Sequence, residues 1–159
     1  MKNLAMPDNG GCIDSFSSQY HHESRCLNLM NRDPCLVWFS HNLAPLPQHF
    51  IIKLEKLSQV KRVGIYIHGE NNQNPKHIQI HVSTDGTKFT KLVDAEIEQR
   101  SGDFLYDLNG LDHVIERVNI FDKENTQSVN AQFVKFEFTE NYGGSGVYVA
   151  KAYVFGEGL

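Results

Sequence analysis

The chain has 159 residues, 40% of them hydrophobic and 21% charged, with a net charge of −4; this length suits one domain with a sizeable core. So mild an acidic balance offers no attraction to nucleic acid or to an anionic membrane surface, and no apolar run approaches the ~18 residues of a membrane-spanning helix. Pro7, Asp8 and Asn9 interrupt the apolar centre an export signal would need, and three cysteines, Cys12, Cys26 and Cys35, are an odd number, so the expected location is the reducing cytoplasm, with a disulfide between two of them left open.

In chain order, residues 1–15 are rich in Asn, Gly, Asp and Pro and are expected to form a loose lead-in to a single domain over residues 16–159. Ser17 to Cys26 is polar and histidine-bearing. Leu27 to Met30 suits one turn of helix, and Trp38, the only tryptophan, follows a turn at Asp33-Pro34. Apolar residues then alternate with polar ones at Phe50, Ile52 and Leu54, at Val63, Ile65 and Ile67, and at Ile78, Ile80 and Val82, which predicts three strands. Ser83-Thr84-Asp85-Gly86-Thr87 is a hairpin signal, with Phe89 to Val93 as the return strand. In the stretch 94–130, Phe104, Tyr106 and Leu108 suggest a strand, and Val114 to Phe121 another strand or a short helix. The end of the chain reads as two strands joined by a turn. Val134, Phe136 and Phe138 alternate with Lys135, Glu137 and Thr139, so that Lys135 and Glu137 are expected on an exposed face; residues 141–146 reverse the chain, and Val147 to Phe155 is apolar enough to be covered on both faces. Short strands between turn signals, with almost no helical period, predict an all-β fold: a single β-sandwich or barrel.

Catalytic patterns are missing. No serine sits in a G-x-S-x-G elbow, and the glycine-rich Tyr142–Gly146 joins two strands rather than opening a helix, so it does not cradle phosphate. Glu96 and Glu98 fall in a charged segment where solvation is the default. His21, His22, Glu23, Cys26 and Cys35 lack the paired spacing of a structural zinc site. Pairing Val63–His68 with Lys76–Val82 as a hairpin would set His68 opposite His77 and make an outward face of His68, His77 and His81, more often ordinary surface than a pH-sensitive or metal-binding one. The protein is read as non-enzymatic.

Several pieces resemble, in order, the discoidin or galactose-binding-like superfamily that includes the coagulation-factor-type C domain. They are Ser17-Ser18, the run Leu27-Asn28-Leu29-Met30-Asn31-Arg32-Asp33-Pro34 up to Trp38, Ser83-Thr84-Asp85-Gly86 with Phe89, Ala131 to Phe136, and Val154-Phe155-Gly156. The resemblance implies a jelly-roll β-sandwich. A narrower likeness, Leu46-Pro47-Gln48-His49-Phe50-Ile51-Ile52 followed by Val60 to Val63, is similar to ciliary members, among them the small discoidin-like subunit of intraflagellar transport complex B.

The superfamily's structural calcium loop would fall on Asn31, Arg32 and Asp33, with Lys151 where a last-strand glutamate would sit. Calcium takes six or more oxygens, so two lost carboxylates and two gained cations imply no metal and no cofactor, with weak calcium binding through loop carbonyls left open; Asp33 would pair instead with Arg32 or Lys151, or simply hold its turn. Ligand loops carried over from the family hold Tyr20, His21, His22, Phe39, His41, Asn42, Leu43, Leu46, Glu70, Asn71 and Asn72. Two functions follow from the resemblance. One is a protein–protein adaptor in an intracellular assembly, at a cilium or centrosome, with a Rab-like small GTPase as the first partner to test. The alternative is a lectin-like module binding a glycan. Neither nucleic acid nor membrane insertion is expected.

Overall fold

The computed structural model describes residues 2–107 and 129–159. Leu108 and the expected strand or helix at Val114 to Phe121 lie outside the described residues. The rest is a β-sandwich organised by one long strand, β4 (Gln48–Ile67). The apolar alternations at residues 50–54 and 63–67, read separately in sequence, belong to this single strand, which bends at a bulge between Lys53 and Ser58. Its first half pairs antiparallel with β2 (Cys12–Phe16) and β8 (Val129–Asn141). Its second half pairs with β7 (Gly102–Asp107) and β10 (Lys151–Gly158). Beyond β8 lie β5 (Pro75–Ser83) and β6 (Thr90–Glu96), and β10 carries β1 (Lys2–Asn3) on its other side. A short ribbon of β3 (Trp38–Phe39) and β9 (Tyr148–Val149) stands apart.

Bending β4 brings its two apolar faces together, and this is what makes the core. Phe50, Ile52, Val63, Ile65, Val134, Phe136, Phe138 and Val154 are all fully buried in one cluster. Phe50 stacks on Phe136 with ring centroids 5.0 Å apart, and Trp38 meets Phe50 edge-on at 5.3 Å. The Trp38 indole N–H donates to the carbonyl of Ser18 at 2.8 Å, so its one polar atom is satisfied inside the core.

The topology departs from four expectations. The two terminal strands are not paired with each other: β8 lies between β4 and β5, and β10 lies on the other half of β4. The glycine-rich segment between them therefore connects strands that lie on different halves of β4. Second, Val63–Ile67 does not pair with β5, because β7 and β10 occupy both its edges, so His68 does not face His77. Third, residues 2–16 are tied in at both ends of that segment: β1 and β2 add to sheet edges, and Leu4 and Ala5 are buried. Finally, Lys135 and Glu137 do point away from the core but are half-buried, and they pair with each other at 3.5 Å.

Candidate functional site

Four loops meet at the pole of the sandwich where the β3–β9 ribbon lies. They are held by backbone hydrogen bonds: Tyr20 N–H to Phe39 O (2.8 Å), Leu43 N–H to Ser145 O (2.7 Å) and Gly144 N–H to Asn72 O (2.8 Å). The Ser18 hydroxyl accepts the N–H of His41 at 2.9 Å. Glycine is what permits the closeness. A Cβ on Gly144 would lie 2.8 Å from the Asn72 carbonyl oxygen, and one on Gly146 would lie 2.5 Å from the Ser40 hydroxyl. The segment singled out in sequence as glycine-rich thus serves to pack one loop against two others.

Antiparallel register sets Phe39 opposite Tyr148. Their rings stack at 5.8 Å, and Tyr20, 47% exposed, tilts against Phe39 at 6.1 Å. His21 lies against Tyr20 at 4.8 Å. At the far end, the Tyr148 hydroxyl donates to Asn74 Oδ1 at 2.8 Å and accepts from Asn71 Nδ2 at 3.4 Å. Burial pushes the Tyr148 phenol above its ordinary pKa, so it stays a neutral donor. The outcome is a row, Tyr20–Phe39–Tyr148–Asn71, that runs from an exposed ring through a half-buried one to a buried tyrosine.

Around this row, His41, Asn42, Leu43, Glu70, Asn71 and Asn72 are all exposed. His41 Nδ1 lies 3.0 Å from the Asn42 carbonyl, so the Nδ1–H tautomer donates there and leaves Nε2 as an acceptor. Leu43 takes a left-handed backbone, with φ of 63°. Asn71 is committed locally, its Oδ1 accepting from Gln73 N–H and its carbonyl from Gln99 Nε2. The backbone of His22 belongs to a 3-10 turn, His22–Ser24. Sequence reasoning missed Tyr148, Asn74 and Ser18. Tyr148 reads as one more apolar residue of a terminal strand, and only the ribbon pairing turns it toward Asn71.

The loop carried over as a calcium site does not fit calcium. Lys151 Nζ donates to the carbonyls of Asn28 (2.9 Å) and Leu36 (3.0 Å), taking the oxygens a cation would need. Arg32 pairs with Asp8 across the surface rather than with Asp33. Asp33 Oδ1 accepts the N–H of Cys35, and Asn31 Oδ1 accepts the N–H of Asp33, so both side chains brace the turn. Burial lowers the pKa of Lys151, and the nearby Asp33 opposes that shift. Of the His and Cys residues weighed against zinc spacing, Cys26 is buried, with its thiol pushed up to about 12 by burial, and His21 Nδ1 accepts from Glu23 N–H. His77 and His81 do share an outward sheet face, paired with Asp94 and Glu137, and His49 joins them there from β4.

Two concavities lie elsewhere. One, of about 680 Å3, sits at the β4 bulge between Lys2, Glu55, Lys56 and Glu157. The other, of about 390 Å3, lies beside Phe16, Gln19 and Arg25. None of the candidate ligand-loop residues lines either one.

Solved structures with this architecture include CpGH89CBM32-5 from Clostridium perfringens, in complex with GalNAc-β-1,3-galactose. It is 19% identical, with a TM-score of 0.69 over 91% of this chain and 93% of that one. The family 32 CBM from C. perfringens NanJ, in complex with galactose, is 16% identical, with a TM-score of 0.71 over 94% and 96%. Chitosan-binding module 1 from a Paenibacillus sp. IK-5 chitosanase/glucanase is 17% identical, with a TM-score of 0.72 over 98% and 100%. No curated protein matches the chain. The narrower ciliary likeness gains no support from these comparisons. Residues 13–151, most of the chain, match the F5/8 type C domain, and the protein belongs to that family.

Proposed function

We propose that the protein is a non-catalytic carbohydrate-binding module that takes a sugar on the loop pole beside the β3–β9 ribbon. The observation that carries this is the exposed Tyr20 ring, backed by Phe39 and flanked by His41 and Asn42. A sugar needs an apolar ring face for its C–H groups and polar groups at its rim, and this pole supplies both. The similar solved modules are complexes with galactose and GalNAc-β-1,3-galactose, which supports the same ligand class here. The surface is a platform, so a sugar would meet it by one face, and the affinity expected is modest, with a Kd of about 1 mM, or about −4 kcal/mol.

Titration with galactose, GalNAc-β-1,3-galactose and chitosan oligosaccharides tests this. Saturable binding to one of them is expected, weakened roughly tenfold in Tyr20→Ala through loss of about 1.4 kcal/mol of stacking. No saturation by any of the three, or a Tyr20→Ala variant that binds as before, would defeat the proposal. The rival reading is an intracellular adaptor, cytoplasmic or ciliary, docking a protein such as a Rab-like small GTPase. What favours it is Leu43, 78% exposed at the same pole. Stoichiometric co-purification of a partner, lost in Leu43→Asp and paired with no sugar binding, would favour the adaptor.

A further inference from the structure

Beside the loop pole, and away from the sheet face of His49, His77 and His81, an exposed thiol faces an imidazole. Cys35 Sγ lies 3.9 Å from His68 Nε2, within reach of a thiol hydrogen bond, and the other ring nitrogen, Nδ1, lies 3.1 Å from the Tyr66 hydroxyl. Cys35 is 33 residues from His68 in sequence, and the fold brings its turn up to the Tyr66–His68 pair. Tyr66 and His68 come from the end of β4. Cys35 is presented by a turn braced twice: Asp33 Oδ1 accepts the Cys35 N–H, and the carbonyl of Leu36 is held by the Lys151 ammonium. The thiol is therefore carried on a pinned loop, beside a ring whose second nitrogen already has a partner.

We propose that Cys35 is a modification site, a thiol that His68 deprotonates for reaction with low-molecular-weight disulfides, with Tyr66 as a positioning residue. The tautomer follows from the geometry. If Nε2 is to take the thiol proton, the neutral ring carries its hydrogen on Nδ1, and that N–H donates to the Tyr66 oxygen. Proton transfer then leaves an imidazolium beside a thiolate, and the thiolate is the nucleophile. It attacks one sulfur of the disulfide RS–SR. A Cys35–S–S–R bond forms, the S–S bond of the reagent breaks, and RS− leaves and takes up the proton held by His68. The Cys35 sulfur is oxidised and the departing sulfur reduced, so the step needs no other reactant. Around the pair, the charged and titratable groups are Lys151 and Tyr153 on β10, Asp103 on β7 and Asp33 on the loop of Cys35 itself.

The other two cysteines are internal standards. Cys12 is exposed as well, but no imidazole contacts it among the described residues, while Cys26 is buried and reacts only on unfolding. The test is reaction of the intact protein with 5,5′-dithiobis(2-nitrobenzoate), with each adduct assigned by peptide mass. Cys35 should react on the order of tenfold faster than Cys12 near neutral pH, with a pH–rate profile that differs from that of Cys12. His68→Gln should make the two profiles and the two rates alike, while Tyr66→Phe should change the Cys35 profile and leave that of Cys12 as it was. Equal rates for Cys35 and Cys12 in the unmodified protein would overturn the proposal. So would a His68→Gln variant that keeps the fast Cys35 reaction. Silence at Cys26 shows that each variant is folded, and the wild-type comparison needs no variant at all.

Discussion

Replacing Lys151 by methionine tests how this fold holds its first loop to its last strand. The change keeps an unbranched apolar stem, at a residue only 9% exposed, and removes one ammonium bonded to two carbonyls at 2.9 and 3.0 Å. A hydrogen bond from a charged donor contributes about 1.5–3 kcal/mol, so the pair gives about 3–6 kcal/mol gross. Against this stands the cost of burying the ammonium, which amounts to several kcal/mol in a closed interior. Here Asp33 lies close enough to offset part of it, leaving a cost of about 1–3 kcal/mol to be relieved by the substitution. The net expectation is a loss of about 2 kcal/mol, read as a fall in Tm of roughly 4–8 °C. Calcium supplies the second half of the assay. In the wild-type protein neither calcium nor a chelator should move Tm, because the ammonium already holds the Asn28 and Leu36 carbonyls. Lys151→Glu restores an anionic ligand in place of the cation, and calcium at 100 times its Kd would then add about 2.7 kcal/mol. A methionine variant as stable as wild type would show that desolvation outweighs both hydrogen bonds. A calcium-dependent rise in the wild-type Tm would refute the placement of the ammonium.

Three further outcomes are expected. Phe136→Ala, at a fully buried ring stacked on Phe50, should cost about 3–5 kcal/mol by urea denaturation, and a cost under about 1 kcal/mol would remove that ring from the core. Gly64→Ala should destabilise by about 1–3 kcal/mol, since its Cβ would lie 2.2 Å from the Phe104 carbonyl oxygen and β7 would have to move; hydrogen exchange along residues 102–107 reads that shift. Stability should also fall in acid in two stages. Burial, reinforced by Lys135 and opposed by Glu137, pulls His49 and His81 below their ordinary range. The unfolded chain therefore binds more protons, and their contribution is full above about pH 6.5 and lost as pH falls through the folded-state values. Asp94 is held low by His77 and Lys91 against the opposing effect of burial, and Asp85 by the N–H groups of Thr87 and Lys88, so theirs is full above about pH 3.9 and lost below it. Urea midpoints measured against pH for wild type and His81→Gln check this, and an unchanged upper stage in the variant would remove His81 from the account.

Local pattern alone determined much of this protein. Alternation placed Phe50, Ile52, Val63, Ile65, Ile78, Ile80, Val134, Phe136 and Phe138 in the core, because a strand with one covered face must show a period of two. Asp85-Gly86 marked the β5–β6 connection because glycine there takes φ of 82°. The order of motifs pointed to the family. Tertiary structure decided which strand pairs with which, since backbone hydrogen bonds carry no side-chain code and any two alternating strands look like partners. That is why Val63–Ile67 was matched with β5 and the terminal strands with each other, when the bend in β4 separates both pairs. The same holds for the functional surfaces. Nothing within a few residues of Tyr148 marks it as the support for Phe39, and nothing near Cys35 marks His68 as its neighbour. Each pairing exists because strands distant in sequence end at the same place.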